Sequence, residues 1–409
     1  MKIILVHNSY QQRGGEDVIF EQEVELLRSH GHAVVVYRRS NCEIEGHSRL
    51  GQAVLAKRAI WASDTREEVA CLIRSEKPDL VHVHNTFLMI SPSIYSACSD
   101  AAVPVVQTLH NYRLLCPGGN LMRNGHTCNL CARGTLLHSV VHGCFRDSRP
   151  ATATLALMLT VHRALQTWTT LVDCYIVLSQ FAARKFVEGG LPAHKIVVKP
   201  NFVQPDPGLG NNSGEYAVFI GRLSPEKGAD ILLNAWKNVK SDVPLLIIGD
   251  GQTRERLKAE FQSDSRVRFC GQMQRAEVFG ALKRARFLVV PSRCYENFPV
   301  TIAEAYACGV PVIASALGAM EELVLDGRTG LLFHAGDAED LSRKIEWAWN
   351  HPNDLKQMRQ ECRSEYELKY SADRNHQLLM DIYDRVLSGN GCHSSNKPRT
   401  SGSVGEFVC

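Results

Sequence analysis

Short β-branched runs alternate with longer stretches of helical spacing along the whole chain. The runs are Ile3 to Val6, Val34 to Tyr37, Leu80 to Val83, Val105 to Leu109, Ile176 to Leu178, Ala217 to Ile220, Leu245 to Ile248, Phe287 to Val290 and Val312 to Ala314. They are mostly apolar instead of alternating, the pattern of parallel strands buried on both faces. The stretches between them, such as Glu16 to Ser29, Thr65 to Ser75, Ala229 to Asn238 and Ile302 to Ala307, are long enough for the helical crossovers that parallel strands need. The pattern predicts an α/β chain of two doubly wound, Rossmann-like domains.

The seam falls at Lys199 to Gly208, where Pro200, Pro205 and Pro207 cannot continue a helix or a central strand, followed by the polar Gly210 to Gly214. The expected division is a first domain over 1–199, a hinge over 200–214, a second domain over 215–369 and a last helix over 370–387. That helix carries Leu378, Leu379, Ile382, Tyr383 and Val386. Residues 388–409 hold Gly, Ser, Asn and Pro with few apolar positions and are expected to be disordered.

Composition changes this picture little. A length of 409 residues suits two domains, and 46 Lys plus Arg against 43 Asp plus Glu leave no general basic surface for nucleic acid. Any anion site is therefore local. The first apolar run is broken by His7, Asn8 and Ser9, too early for a signal-peptide core, and no uncharged apolar stretch reaches the roughly 18 residues of a spanning helix. Fourteen cysteines without an export signal read as reduced thiols or metal ligands, so a cytoplasmic protein is expected.

Two strings in the second half carry chemistry. Gly221-Arg222-Leu223-Ser224-Pro225-Glu226-Lys227-Gly228 follows a strand, where backbone N–H groups and two cations converge on a phosphate or diphosphate. Further on, Glu296 and Glu304 straddle Asn297-Phe298-Pro299. Pro299 is a favoured first helical residue, which leaves Glu296 in the loop and Glu304 in the helix, both able to accept hydrogen bonds from hydroxyls. In the first half, Gly14-Gly15-Glu16 follows a strand and opens a helix without the G-x-G-x-x-G dinucleotide pattern. His82, His84, Asn85, Thr108, His110 and Asn111 lie at the carboxyl ends of strands, where open parallel sheets hold their ligand crevice.

With these strings in order, the chain resembles the family of retaining, nucleotide-sugar-dependent glycosyltransferases called glycosyl transferases group 1, over about residues 1 to 385. The resemblance implies the GT-B fold, two Rossmann-like domains facing a central cleft, with an acceptor-side first domain and a nucleotide-sugar-binding second domain. It implies that Arg222 and Lys227 neutralise the donor diphosphate, that Glu304 holds the ribose hydroxyls and that Glu296 and His110 stand near the transferring sugar. Gly14, Gly15, Gly221, Asn297, Phe298 and Pro299 complete the expected donor site. The family commonly has Gly where this chain has Asn297, Gly where it has Ala319, and Asp where it has Asn111. The expected partners are a nucleoside diphosphate sugar and a sugar or lipid-linked saccharide acceptor, in cell-surface polysaccharide or glycolipid assembly, with no nucleic acid. The leaving phosphate helps deprotonate the acceptor in the same-face mechanism usually assigned to the family. A nucleotide-sugar 2-epimerase and a non-catalytic nucleotide-sugar-binding protein are the alternatives.

Beside His110, an insertion over 116–144 holds Cys116, Cys128, Cys131 and Cys144, with His126, His138 and His142 between them. Four thiols, one pair as Cys-x-x-Cys, are the ligand set of a closed tetrahedral zinc site, so a structural zinc is the candidate metal and no cofactor is expected for catalysis. Next comes the apolar stretch Ala151 to Trp168, read first as a helix buried between layers and second as one that docks peripherally at the inner face of the membrane.

Overall fold

The computed structural model describes residues 1–44, 49–210 and 214–389; residues 211–213 of the hinge and the tail beyond Gly389 lie outside the described residues. In the first half run β1 (Lys2–Ser9), β2 (Ala33–Ser40), β3 (Leu80–Asn85), β4 (Val105–Leu109), the short strands β5 (Met122–Arg123) and β6 (His126–Thr127), β7 (Cys174–Val177) and β8 (Ile196–Val198). Their main sheet has the order β2-β1-β3-β4-β7-β8, parallel throughout. In the second half run β9 (Tyr216–Ile220), β10 (Leu245–Ile248), β11 (Val267–Gly271), β12 (Ala285–Val290), β13 (Val312–Ala316) and β14 (Gly330–His334), in the parallel order β11-β10-β9-β12-β13-β14.

Alternate side chains of β1 explain why its run is apolar throughout. Ile4 and Val6 pack into one core with Val81, Val83 and Leu155, while Ile3 and Leu5 pack on the opposite face with Phe20, Leu379 and Tyr383. The second face is closed by the last helix, Ala372–Leu387, whose Leu379, Ile382 and Tyr383 return from the far end of the chain to cover the first sheet. The stretch Ala151 to Trp168 behaves as the first of its two readings. Most of it is the helix Arg149–Ala164, which buries Leu155, Met158, Leu159 and His162 and leaves Leu157 exposed. Among the described residues no helix is long and apolar enough to cross a membrane.

Besides the short pair β5 and β6, three strands of the main sheets were not anticipated from the pattern: β8, β11 and β14. All lie at sheet edges, where burial on both faces is not demanded, and β11 accordingly carries Arg268. Two local expectations are also corrected. The helix after Pro299 begins at Val300, with Pro299 one position outside it. His82 and Thr108 do not face the crevice: both are buried, and the His82 ring bridges Thr108 Oγ1 at 2.8 Å and the Tyr383 hydroxyl at 2.7 Å, so they pin the last helix to the sheet.

Both sheets reverse their winding direction beside the central strand, between β1 and β3 in one and between β9 and β12 in the other. Such switch points open a crevice at the carboxyl ends of the strands. Gly14 to Glu16 follow β1 and His84 ends β3, while Gly221 to Lys227 follow β9 and Glu296 follows β12. Every candidate string outside the cysteine insertion sits at or next to one of the two openings.

Candidate active site

In the second domain, Gly228 takes φ +69°, and a Cβ there would lie 2.0 Å from the Pro291 carbonyl oxygen. Only glycine lets the start of the helix Ala229–Asn238 press against the loop after β12. That close approach puts Lys227 against Glu296, Nζ to Oε1, at 2.7 Å, and Ser292 Oγ donates to the same carboxylate oxygen at 2.7 Å. Burial alone would raise the Glu296 carboxyl, but Lys227, Ser292 and the nearby Arg222 hold it below its ordinary range. Lys227 is raised in turn, because Glu296 outweighs the effect of its burial. Arg222 is exposed and has no ion-pair partner among the described residues, so the mouth of the site holds an uncommitted cation. Glu304 projects from the helix Val300–Ala307 with its side chain 15% exposed; burial raises its carboxyl, and Arg275 at 3.9 Å counters this only in part.

The first domain presents a different set. A Cβ on Gly15 would meet nothing within 4 Å, and one on Gly14 only Asp17 Oδ2 at 3.9 Å, so the turn leaves open space in front of the helix Gly15–Ser29. Glu16, which sequence reasoning passed over, lies beside Asn111: its Oε2 accepts from Tyr10 Oη at 3.0 Å and Asn111 Nδ2 at 3.3 Å, and its Oε1 is buried without a partner. Burial pushes this carboxyl up to about 7, with Asp17 adding to the effect and Tyr10, Arg113 and Asn111 opposing it. The acid that the family commonly carries at the position of Asn111 thus has a neighbour in space, not in sequence. The only signal was its place in Gly-Gly-Glu. His110 is half-buried, and burial with His84 and His7 nearby holds it well below the usual histidine range.

The domains meet across these groups. Asn297 Nδ2 donates to the Leu109 carbonyl oxygen at 2.6 Å, just before His110, and Asn297 Oδ1 is buried without a partner. Glu322 accepts from Gln180 N at 2.8 Å and from Arg184 at 3.0 Å, and the rings of Phe181 and Tyr295 stand 4.7 Å apart. A pocket of about 360 Å³ opens there, lined by Phe181, Arg184, Lys185, Tyr295, Gly318 and Glu322. Its mixed charges suit a polar ligand.

The structure therefore brings Arg222, Lys227 and Glu296 together in one domain and sets His110 opposite them in the other, with Asn297 as the direct bridge. Gly221 directly follows β9, with its N–H bonded to the Ile248 carbonyl at 3.0 Å. Phe298 is not brought to the cleft by its side chain. It is 7% exposed and packs in the core against Tyr370, which leaves only its backbone for a ligand, and Pro299 beside it is buried. The four cysteines of the insertion are free thiols, Cys116 and Cys131 buried, Cys128 and Cys144 half-buried. Among the described residues, the donor atoms closest to a metal-ligand set belong instead to Glu23, His82 and His84. That group is already satisfied: Lys199 Nζ takes Glu23 Oε2 at 3.0 Å, and both His82 nitrogens are bonded within the core.

Residues 13–207 match the family model described as Glycosyltransferase Family 4, and residues 214–351 the one described as Glycosyl transferases group 1. The chain has the GT-B fold, and each of its halves matches a glycosyltransferase family model. A relative from Methanocaldococcus jannaschii, described as an uncharacterized glycosyltransferase, is 32% identical over 179 residues, covering 43% of this chain and 50% of its own. The lipopolysaccharide 1,2-N-acetylglucosaminetransferase of Salmonella typhimurium is 28% identical over 211 residues, covering 46% of this chain and 55% of its own. This GT-B chain thus spans about half the length of the curated relatives it matches. Among solved structures, Anabaena HepE in complex with UDP superposes with a TM-score of 0.66 at 18% identity, over 94% of this chain and all of the other (100%), a likeness of fold.

Proposed function

We propose that this GT-B protein is a retaining transferase. It moves a sugar from a nucleoside diphosphate sugar to an acceptor hydroxyl in the cleft, in the assembly of a cell-surface polysaccharide or glycolipid. The observation that carries the reading is the Lys227–Glu296 pair at 2.7 Å with Arg222, unpaired among the described residues, beside it, facing His110 across the Asn297–Leu109 bridge. As the anomeric bond breaks, negative charge grows on the departing diphosphate, and fixed cations in a partly desolvated site stabilise that charge most where it is greatest. Glu304 holds ribose hydroxyls on the same side. The UDP in the HepE structure and the lipopolysaccharide named for the Salmonella relative support this class of donor and acceptor.

The first domain also suits an acceptor on a phosphate-bearing lipid at the inner face of the membrane. Between residues 101 and 172 there are six arginines (113, 123, 133, 146, 149 and 163) against the single acid Asp147. Leu137 and Val141 stand 67% and 61% exposed on one face of the helix Leu137–His142, and Arg149 Nε reaches the Val141 carbonyl at 3.1 Å.

Incubation with UDP-, GDP- and ADP-sugars, with and without a lipid-linked saccharide, tests the reading. Acceptor-dependent release of the nucleoside diphosphate with the anomeric configuration kept is expected. Conversion of donor to its 2-epimer without acceptor would make the protein an epimerase, and binding without turnover a carrier. Glu304→Gln is expected to weaken nucleoside diphosphate binding about 10-fold by calorimetry, since it turns a charged acceptor of hydroxyl bonds into a neutral one. Unchanged affinity would remove Glu304 from the ribose.

The cysteine insertion carries a separate proposal, a structural zinc on Cys116, Cys128, Cys131 and Cys144. The thiols lie near enough to raise one another: burial pushes Cys131 up to about 11 with Cys116 and Cys144 adding to it, and Cys144 is raised by burial, Cys116 and Cys128. Gly118 backs the group, since a Cβ there would meet the Cys144 carbonyl oxygen at 3.1 Å and Cys116 Sγ at 3.6 Å. A zinc ion would take the four as thiolates and draw the segment together. Elemental analysis of tag-free, reduced protein should find about one zinc per chain. Its absence would return the four to packing residues.

A further inference from the structure

Behind His110 runs a line of buried hydrogen bonds that nothing in the reaction uses directly. His110 Nε2 meets His84 Nδ1 at 2.9 Å, and His84 Nε2 meets Glu23 Oε1 at 3.1 Å. Glu23 Oε2 is held at 3.0 Å by Lys199 Nζ, which also donates to Asn375 Oδ1 at 3.0 Å, while Asn375 Nδ2 donates to the Pro200 carbonyl at 2.8 Å. The line thus begins at the hinge and the last helix, crosses the sheet through β3 and ends at the cleft.

We propose that Glu23 and His84 are positioning residues that fix the tautomer of His110, so that its Nδ1 faces the cleft as a bare hydrogen-bond acceptor for a hydroxyl of the bound sugar. This inference rests on the transferase reading above and adds to it which atom of His110 acts, and as what.

The direction of each hydrogen bond follows from chemistry. A carboxylate only accepts, so the proton between His84 and Glu23 is on His84 Nε2. Glu23 is a carboxylate because, although burial opposes it, Lys199, His84 and His82 hold it well below the usual carboxyl range. His84 is neutral, as burial and the neighbouring His82 lower it to about 3 against the pull of Glu23. Its Nδ1 therefore carries a lone pair, and the proton shared with His110 belongs to His110 Nε2. His110 is neutral for the same reason of burial, and its remaining ring nitrogen, Nδ1, is unprotonated. Nothing among the described residues takes that nitrogen, and it is not among the sealed atoms of the core. Leu109, one residue earlier, is where the second domain touches this strand end. A neutral ring held this far below its usual range is an acceptor of hydroxyl bonds and not a general base. That agrees with leaving proton removal to the departing phosphate.

The test combines a spectroscopic and a kinetic reading on the full chain. Nitrogen-15 NMR of histidine-labelled protein should show His110 as the Nε2–H tautomer. His84→Leu removes the internal acceptor, so His110 should shift toward the Nδ1–H form and kcat/KM for transfer should fall about 10- to 100-fold, the cost of a buried donor left unpaired and a substrate hydroxyl left facing another donor. His84→Asn keeps an amide oxygen where Nδ1 stood and should restore the tautomer and most of the rate. UDP or GDP binding, read at the distant Arg222 and Lys227, should stay unchanged in both variants. An Nδ1–H tautomer in the unaltered protein overturns the proposal, and so does transfer by His84→Leu at the unaltered rate. Failure of the unaltered protein to transfer any sugar would strike the transferase reading instead, while the NMR result would still decide the tautomer.

Discussion

Lys227→Ala and Arg222→Ala are each expected to lower turnover roughly 100- to 1000-fold on the donor found by the screen, the usual loss when one group that stabilises developing charge is removed. The two should differ in a second measurement. Arg222 is exposed and pairs with no carboxylate among the described residues, and its effect on Glu296 is weaker than that of Lys227, so its loss should alter the rest of the site least. Lys227 neutralises Glu296 at 2.7 Å, so its removal leaves that carboxylate with Ser292 Oγ and the nearby Arg222. The Glu296 carboxyl then rises, and the residual activity of Lys227→Ala should depend on pH more steeply than that of Arg222→Ala. Neither side chain belongs to the apolar core, so circular dichroism and the thermal midpoint should stay close to those of the unaltered protein. Near-normal turnover in both variants would remove Arg222 and Lys227 from the donor diphosphate.

Lys199→Met is expected to cost about 3–5 kcal/mol of stability at pH 7, because it leaves Glu23 as a buried carboxylate without its cation. Lys199 and Glu23 side chains are 2% and 1% exposed, and the lysine joins the end of the first sheet to the helix Gly15–Ser29 and, through Asn375, to the helix Ala372–Leu387. The pH dependence should reverse sign. In the unaltered protein the Glu23 carboxyl is depressed when folded, so its contribution is complete above the ordinary glutamate range and is lost as pH falls toward the folded value. In Lys199→Met the folded carboxyl is raised instead, so this group favours the folded state in acid and penalises it as pH climbs past about 4. Urea unfolding at pH 7 and pH 4 should show the gap between the two proteins narrowing. The double variant Lys199→Met with Glu23→Gln should recover part of the loss at pH 7. A single variant as stable as the unaltered protein at pH 7 would mean that water or a rearranged partner replaces the lysine.

Much of the site was legible in the chain because its motifs are local. Gly221 to Gly228 encode the tight turn that joins a strand to a helix start within eight neighbouring positions, and that turn alone places two cations at the mouth of a crevice. Glu16 was not legible. Its functional neighbour Asn111 lies 95 residues away, and a lone glutamate in a first helical turn has the same local pattern whether it meets solvent or a buried amide. Phe298 misled for the converse reason, since membership of a motif string does not say which face of the loop the ring takes.

By itself the sequence determined the strand runs buried on both faces, the helical crossovers, the proline-rich seam and the glycine-bracketed turn that carries Arg222 and Lys227, because each depends on periodicity or on residues a few positions apart. Only the tertiary structure decided that the glutamate of one loop is the partner of Lys227, that a histidine expected in the crevice is a core residue, and that Glu23, Lys199 and Asn375 form one buried group. These pairings span 69 residues in the first case and 176 in the last, and they arise where sheets, hinge and final helix converge. Charge buried at such a meeting point is stabilised only by a partner at hydrogen-bond distance, and that distance is a property of the packed chain.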